Sequence, residues 1–592
     1  MKILKLYLFL LSILLPCFST AQNIIPANII EGKITDKSDN KPLSFASVYN
    51  RSTRKGTITN TEGYFRLSLN NFSDTIVITL IGYKKETLQL KHQVQFYNIG
   101  LEENAHLLGQ VVVKPKDNTY LYELLAECKK KKGRNNVTSK AYYELKTQFD
   151  DTQVELVECF YNGRINGYDI EGLDIKTGRI AIRPHNDRIF LSMESSRIIT
   201  LQKLFEYGYF PESPLELPLR KMKNNFYLDI STKYRDDNND SVYVIEFTPK
   251  NSTGKRFKGQ VWVKPASKNI IKINLKINGA KKHPFLPLFS TDSIKNLDLD
   301  ITKTFEELNS KMFFKQVNFT YQITYKSRKT EPYIVKTSAV LHMYDYNSSF
   351  QLPKFEFTAA AGRNDYRKIN GIPYNDYFWQ NTSELKMTQK DNQNEQFFNS
   401  EDVITNKQLF EAEGYYDYTL MQIRYVIWNG NRVRFREFTS DTSSSANAAD
   451  GVLAERYKLS VKLFLDVNTI DDSLQIVTAT IFDPYESFYK FPITNTALCF
   501  INTYFDLVEI ERRNLEKAIL QSDKKPETIN KIYDASQLKV AQISNKYFTE
   551  VMRGNNEKQM EKWSRYTSEK LNINNLEIFR PYAKKANGDE QK

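Results

Sequence analysis

Through most of its length the chain repeats apolar residues every second position, and past Ala497 that period lengthens to about 3.6. No other feature narrows the fold so far. A period of two puts alternate side chains on opposite faces of a strand, whereas the longer period paints one stripe along a helix. Between residues 29 and 113 short runs such as Ile30-Glu31-Gly32-Lys33-Ile34 and Phe45-Ala46-Ser47-Val48-Tyr49 are parted by turn signals, among them Gly63 and Gly82. That spacing predicts an antiparallel sandwich. Residues 257–264 and 270–277 alternate on either side of a Pro265-Ala266-Ser267-Lys268 turn, and 317–325 and 333–343 read as further strands of the same sheet.

Leu121, Leu124, Leu125 and Cys128 recur at helical spacing and predict a connecting helix. Runs at 419–428, 432–438, 457–466 and 474–482 indicate a second small β domain, interrupted by a flexible polar loop at 440–451. Leu498, Ile501, Phe505, Val508 and Leu515 share one face of a helix running to about residue 521. Pro526 suits the first turn of a second helix to residue 553, and a third spans 556–571.

The fold class is therefore mainly β and multidomain, with α. It comprises an N-terminal antiparallel β-sandwich, a larger antiparallel β domain with the pattern of a half-barrel, a second small β domain and a C-terminal helical hairpin or bundle. The expected boundaries are a signal peptide at 1–21, the sandwich at 28–113, a linker helix at 114–140 and a β-rich domain at 141–350. An extended aromatic and polar segment follows at 351–410, then the second β domain at 411–496, a helical region at 497–572 and a tail at 573–592.

Lys2 and Lys5 precede an apolar run from Leu6 to Pro16, and Ser19-Thr20-Ala21 places small residues before a cut at Gln22. That order reads as a secretory signal peptide, too short to span a bilayer. Cys17 offers a lipid-attachment reading, against which Pro16 is a poor fit. The chain is thus expected to be exported, and to be periplasmic or associated with the outer membrane. Its charge of +13, from 83 Lys and Arg against 70 Asp and Glu, would there meet lipopolysaccharide, anionic phospholipid or an acidic protein rather than nucleic acid.

Several pieces of the first β region carry a resemblance. Glu31-Gly32-Lys33-Ile34-Thr35-Asp36, then Lys41-Pro42-Leu43-Ser44-Phe45-Ala46-Ser47-Val48, resemble the opening of the carboxypeptidase-regulatory-like domain. Gly56-Thr57-Ile58-Thr59-Asn60-Thr61-Glu62-Gly63-Tyr64-Phe65 resembles its central signature, and Ile81-Gly82-Tyr83 and Leu108-Gly109-Gln110-Val111-Val112-Val113 complete the order. The resemblance implies a transthyretin-like β-sandwich that is not itself a peptidase and that serves as an interaction or spacer module in Gram-negative envelope proteins. Asn60 stands where the family often has Asp, which weakens a calcium or charge role there. The strand–turn–strand at 257–277 is also similar to lipoprotein-carrier-like half-barrels.

The sequence holds no nucleophile elbow, no His-Glu-x-x-His, no phosphate loop and no Cys-x-x-Cys. Its five His (His92, His106, His185, His283 and His342) are isolated. The acidic runs at 236–240 and 466–472 lack the spacing of a calcium loop and read as hairpin turns. Asp506, Glu509 and Arg513 share a helix face, which reads as a surface ion-pair cluster. No catalytic, cofactor or metal residue is assigned, and no cofactor is implied. The one interaction surface is Tyr374, Tyr377, Phe378 and Trp379, either exposed to stack on sugar rings or docked on a neighbouring domain.

The expected function is non-enzymatic: a binding or scaffolding module of the cell envelope, with an outer-membrane or envelope protein as partner, or envelope polymer or lipid. A periplasmic carrier of lipid or another apolar ligand is the alternative, and it requires an open apolar cavity lined from 257–345. A peptide- or glycan-processing enzyme is the second alternative.

Overall fold

The computed structural model describes residues 29–582 apart from short internal stretches, the longest being 104–117, 185–195, 358–364, 382–392, 407–424 and 435–455. The expected signal peptide, Cys17, the loop at 440–451 and most of the strands expected at 419–428 and 432–438 lie outside the described residues. The chain divides into two compact units, with residues 1–104 in the first and 105–382 and 392–592 in the second.

In the first unit seven strands form two sheets: β1 Ile29–Asp36, β2 Ser47–Asn50, β3 Gly56–Ile58, β4 Tyr64–Ser68, β5 Thr75–Thr79, β6 Glu86–Gln89 and β7 Phe96–Leu101. One sheet runs β4-β1-β7 and the other β3-β2-β5-β6. Ile30, Ile34, Val48, Phe65, Ile76, Ile78, Ile99 and Leu101 from both sheets make one core. The pairing of β1 with β7 is parallel, unlike every other pair of this unit. The first and last strands meet only after the chain has built the opposite sheet, and so long a connection frees the direction of the last strand.

The signature residues each do a structural job. Buried Thr59 donates its hydroxyl to the Leu43 carbonyl at 2.6 Å and accepts from Ala46 N–H at 2.8 Å. Asn60 Oδ1 accepts from the backbone of Glu62 and Tyr64, so its carboxamide holds a turn. Gly63 sits at φ +81°, and a Cβ there would stand 2.4 Å from the Ile34 carbonyl oxygen. Gly63→Ala is expected to destabilise this unit by about 1–3 kcal/mol. Amide hydrogen exchange should quicken over 29–101 and not over the second unit; unchanged protection would contradict the assignment.

The second unit is built on an antiparallel sheet of eleven strands. These are β8 Asn136–Phe149, β9 Thr152–Asn166, β10 Asp169–Ile182, β11 Phe226–Arg235, β12 Ser241–Pro249, β13 Lys258–Lys264, β14 Asn269–Ile277, β15 Ser293–Leu308, β16 Lys311–Lys326, β17 Tyr333–Tyr344 and β18 Ile404–Thr405. Their order is β11-β12-β13-β14-β15-β16-β17-β8-β9-β10-β18, and the two ends do not pair, so the sheet stays open. Tight hairpins set the register. Asn309 and Ser310 both have positive φ and join β15 to β16 through the Leu308–Lys311 pair, as a two-residue hairpin loop requires. Lys268, at φ 58°, closes the expected turn between β13 and β14. At the β11 edge, Tyr122 and Asn118 donate to the Phe226 and Leu228 carbonyls, which blunts an open strand.

One face of this sheet is apolar and covered by three helices: α1 Thr119–Lys130, α2 Ser196–Leu201 and α3 Leu219–Asn225. The residues expected to link two domains are instead part of this core, since Leu121, Leu124, Leu125 and Cys128 of α1 are buried in it. Val261, Ile273, Leu275, Ile301 and Phe319 are wholly buried on the sheet, against Phe205, Phe210, Leu215, Met222 and Phe285. Such burial leaves no room for a water molecule beside them, so this face is filled with the protein's own side chains.

Short helices α4 Asp365–Asn370, α5 Asp376–Asn381 and α6 Gln393–Phe398 follow. Next come the small strands β19 Val426–Ile427, β20 Tyr457–Lys458, β21 Val461–Ile470, β22 Ser473–Phe482 and β23 Phe488–Tyr489. The chain closes with α7 Asn495–Leu520, α8 Pro526–Val551, α9 Glu557–Leu571 and α10 Asn575–Phe579. The hairpin β21–β22 has two buried faces. Leu463, Leu465 and Phe482 join the core of the C-terminal helices, whereas Phe464, Ala479 and Ile481 join the core of the large sheet. A wholly buried ion pair, Lys176 to Asp466 at 2.5 Å, fastens β10 to β21.

Candidate interaction surface

On β8, β9 and β10 the side chains facing away from the apolar core are Tyr142, Glu144, Glu158, Phe160 and Arg179, and Phe378, Trp379, Asn394, Glu395 and Phe398 lie over them. Arg179 Nε donates to Glu158 at 2.6 Å and Nη1 to Glu395 at 2.7 Å. Its guanidinium sits 4.5 Å from the Trp379 ring centre and 4.8 Å from that of Phe398. Tyr142 donates to Glu158 at 2.5 Å, and the Asn394 amide reaches Glu144 at 2.6 Å and Glu158 at 3.2 Å. Burial works against ionising Glu158, but the Arg179 charge and these donors outweigh it and hold the carboxyl below its usual range.

This clamp decides where the aromatic segment goes. Phe378 and Trp379 are buried, their rings 5.4 and 5.5 Å from Phe160. Tyr374 is half-buried and stacks on Phe398 at 5.7 Å, and Tyr377 is half-buried. The structure thus turns Phe378 and Trp379 onto the sheet, where Arg179 needs aromatic faces, and leaves only Tyr374 and Tyr377 partly at the surface.

A second polar cluster lies inside the C-terminal region. Asp506 and Glu509 are buried within α7 and not on a helix surface, because β22 and the residues Trp428, Arg432 and Val433 cover that face. Asp506 accepts from Trp428 at 2.7 Å, Arg432 at 2.9 Å and Asn575 at 2.6 Å. Burial pushes its carboxyl up, and Arg432 opposes the shift. Glu509 takes two hydrogen bonds from Arg512, one from Arg513 and one from Thr480. Both carboxylates are spent on partners within the fold.

The third place is the rim of the apolar face. Lys303 projects inward from β15, is 2% exposed, and donates to the Gln202 carbonyl. Burial lowers its ammonium to about 8. Glu216 is 8% exposed; one carboxylate oxygen caps the Ser213 N–H, and burial pushes the group up to about 8. A carboxyl whose folded value lies above its ordinary 4.5 contributes stability below that value and loses it as pH climbs to about 8. Lys282 pulls against this shift and Glu212 adds to it. Glu216→Gln is accordingly expected to raise the thermal midpoint at pH 8.5 and to leave it nearly unchanged at pH 4.5. Equal effects at both pH values would refute the assignment.

His342 on β17 is buried and its imidazole is lowered to about 3, so it is neutral at physiological pH; it stacks on Tyr344. Asp236 and Asp240 flank Lys264 at 2.6 and 2.9 Å and form the expected hairpin turn, with Asn239 at positive φ. Among the described residues the three cysteines, Cys128, Cys159 and Cys499, are free and buried, and no three His, Cys, Asp or Glu gather as a metal site. No helix among them is long and apolar enough to cross a membrane. The Arg179 clamp escapes a reading by period. Its one signal is the pair Glu155 and Glu158 inside an otherwise apolar run, 154–161, which marks a strand buried on both faces.

No curated protein matches the chain in sequence. Among solved structures, a LolA-superfamily protein from Nitrosomonas europaea aligns at 11% identity over 41% of this chain and 98% of its own, with a TM-score of 0.16. A putative outer-membrane lipoprotein-sorting protein domain from Vibrio parahaemolyticus aligns at 12% identity over 40% and 95%, TM-score 0.18. The MucA/MucB complex of Pseudomonas aeruginosa aligns at 10% identity over 39% and 94%, TM-score 0.13. At these scores the alignments carry no argument. The first unit is different: its sandwich, its turn glycine and its Thr59 and Asn60 contacts belong to a segment, residues 30–113, that matches a family in sequence, and that segment is a CarboxypepD_reg-like domain.

Proposed function

We propose that this protein is an exported cell-envelope component that works by binding, through the surfaces of its folded modules, to an outer-membrane or envelope partner, and that it has no reactive centre of its own. The observation that carries this reading is the state of its interior charges. Glu158, Arg179, Asp466, Asp506 and Glu509 are each held by partners within the fold. Groups so committed are unavailable for acid–base work on a substrate. A carrier needs an accommodating apolar space, and the filled face of the large sheet weighs against that alternative. The CarboxypepD_reg-like domain fits an interaction or spacer role beside the larger unit, and the signal-like N-terminus fits export.

The test is affinity purification of the tagged full chain from native envelope in mild detergent, with mass spectrometry of what accompanies it. A stoichiometric envelope partner is the expected result. Recovery of the protein alone with bound lipid would replace this reading with the carrier, and turnover of a peptide or glycan would replace it with an enzyme.

A further inference from the structure

Three loops meet at one rim of the large sheet's apolar face. Glu212 N–H donates to the Lys255 carbonyl at 2.9 Å, Phe257 N–H to that of Glu212 at 2.9 Å, and Lys281 N–H to that of Gly254 at 2.8 Å. Lys282 Nζ rests 3.3 Å from the Tyr207 ring centre and so ties the loop at 204–210 to the loop at 280–287. Within these loops aromatic residues divide sharply. Phe205, Phe210 and Phe285 point inward and are buried, while Tyr207 is 66%, Tyr209 60% and Leu286 77% exposed.

From this arrangement we infer that the rim formed by Tyr207, Tyr209 and Leu286, with Lys255 and Lys281, is a docking surface for an anionic phospholipid bilayer. Side chains this exposed are available to insert between lipid headgroups. Tyrosine is the side chain that favours the headgroup level, since its ring is apolar and its hydroxyl stays wet. The cations that reach solvent at this rim are Lys255 and Lys281, against Glu206, since Arg256 is paired with Glu212 at 3.1 Å, Lys203 is bonded to the Ile170 carbonyl and the Lys282 ammonium is buried under Tyr207. Basic side chains near an anionic leaflet add to apolar insertion, and neither alone anchors firmly. The inward Phe205, Phe210 and Phe285 root both loops in the core, so little order has to be gained on docking. This surface goes beyond the proposed protein partner and does not depend on it.

The experiment is cosedimentation of the purified full chain with phosphatidylglycerol/phosphatidylethanolamine vesicles and with phosphatidylcholine vesicles. The wild type is expected to sediment with the anionic vesicles and to be released by salt. Combined Tyr207→Ser, Tyr209→Ser and Leu286→Ser should lower the apparent affinity by about tenfold or more. Lys255→Glu with Lys281→Glu should abolish the preference for anionic vesicles. All five positions are exposed, and circular dichroism checks that the variants are folded. Absence of wild-type binding, or equal binding by the variants, overturns the inference. So does analytical ultracentrifugation showing a wild-type dimer that Leu286→Ser dissociates, because the rim would then be a contact between two copies.

Discussion

Replacing Arg179 with methionine is expected to destabilise the second unit by about 3–5 kcal/mol. The guanidinium is enclosed by Glu158, Glu395, Trp379 and Phe398. Methionine supplies similar bulk to the two rings but leaves the Glu158 carboxylate buried with only Tyr142 and Asn394 as donors. An uncompensated buried charge costs far more than the loss of a contact. The double change Arg179→Met with Glu158→Gln should recover a large part of the loss, because the fully enclosed carboxylate is then neutral and Glu395, which loses its Arg179 bond, has a side chain 34% exposed. Denaturant titration of the two single variants and the double variant gives the coupling directly. Since Trp379, Glu395 and Phe398 meet the sheet at this guanidinium, limited proteolysis of the single variant should begin around 376–381 and 393–398. A loss below about 1 kcal/mol, the range of an exposed ion pair, would mean that water reaches the site.

Phe319→Ala, on the opposite face of the same sheet, is expected to cost about 3–5 kcal/mol. Its ring is wholly buried and lies 5.9 Å from Phe210, 6.1 Å from Tyr321 and 6.5 Å from Phe285. Tyr321 is held in the same strand and Phe210 and Phe285 are buried in loops rooted in the core, so they cannot collapse fully into the gap and an apolar void remains. That void supplies a second readout. Benzene or xenon should stabilise the variant and leave the wild type unaffected, because dry apolar cavities accept such ligands and filled ones do not. Stabilisation of the wild type by the same probes would show space on this face already, and would revive the carrier reading.

Elements with a strong period were plain in the sequence. The helices expected at 498–521, 527–553 and 556–571 are found at Asn495–Leu520, Pro526–Val551 and Glu557–Leu571, and the turn at 265–268 joins the strands expected of it. Period states which residues share a face and is silent on what covers that face. Asp506 and Glu509 lie on one side of α7 as spacing requires, yet that side meets β22 and Arg432 instead of water. The aromatic run at 374–379 shows the same limit. Its composition permits an exposed platform or a docked one, and only Arg179, almost two hundred residues earlier in the chain, decides for Phe378 and Trp379. The rim of Tyr207, Tyr209 and Leu286 joins loops from distant parts of the chain through backbone hydrogen bonds, which no local pattern encodes.

The seam between β8 and β17 bears on how such a chain reaches its native state. Across it Thr147 touches Thr337 at 3.1 Å, with 190 positions of sequence between them. Hairpins such as β15–β16 can close on their own, but β8, the first strand of the sheet, gains its second neighbour only once β17, the last long one, has emerged. Loop closure over that distance is slow, and partly paired strands present unsatisfied edges in the interval. A polypeptide with this topology is expected to refold on a timescale set by that single late pairing, and to benefit from a chaperone that shields β8 while it waits.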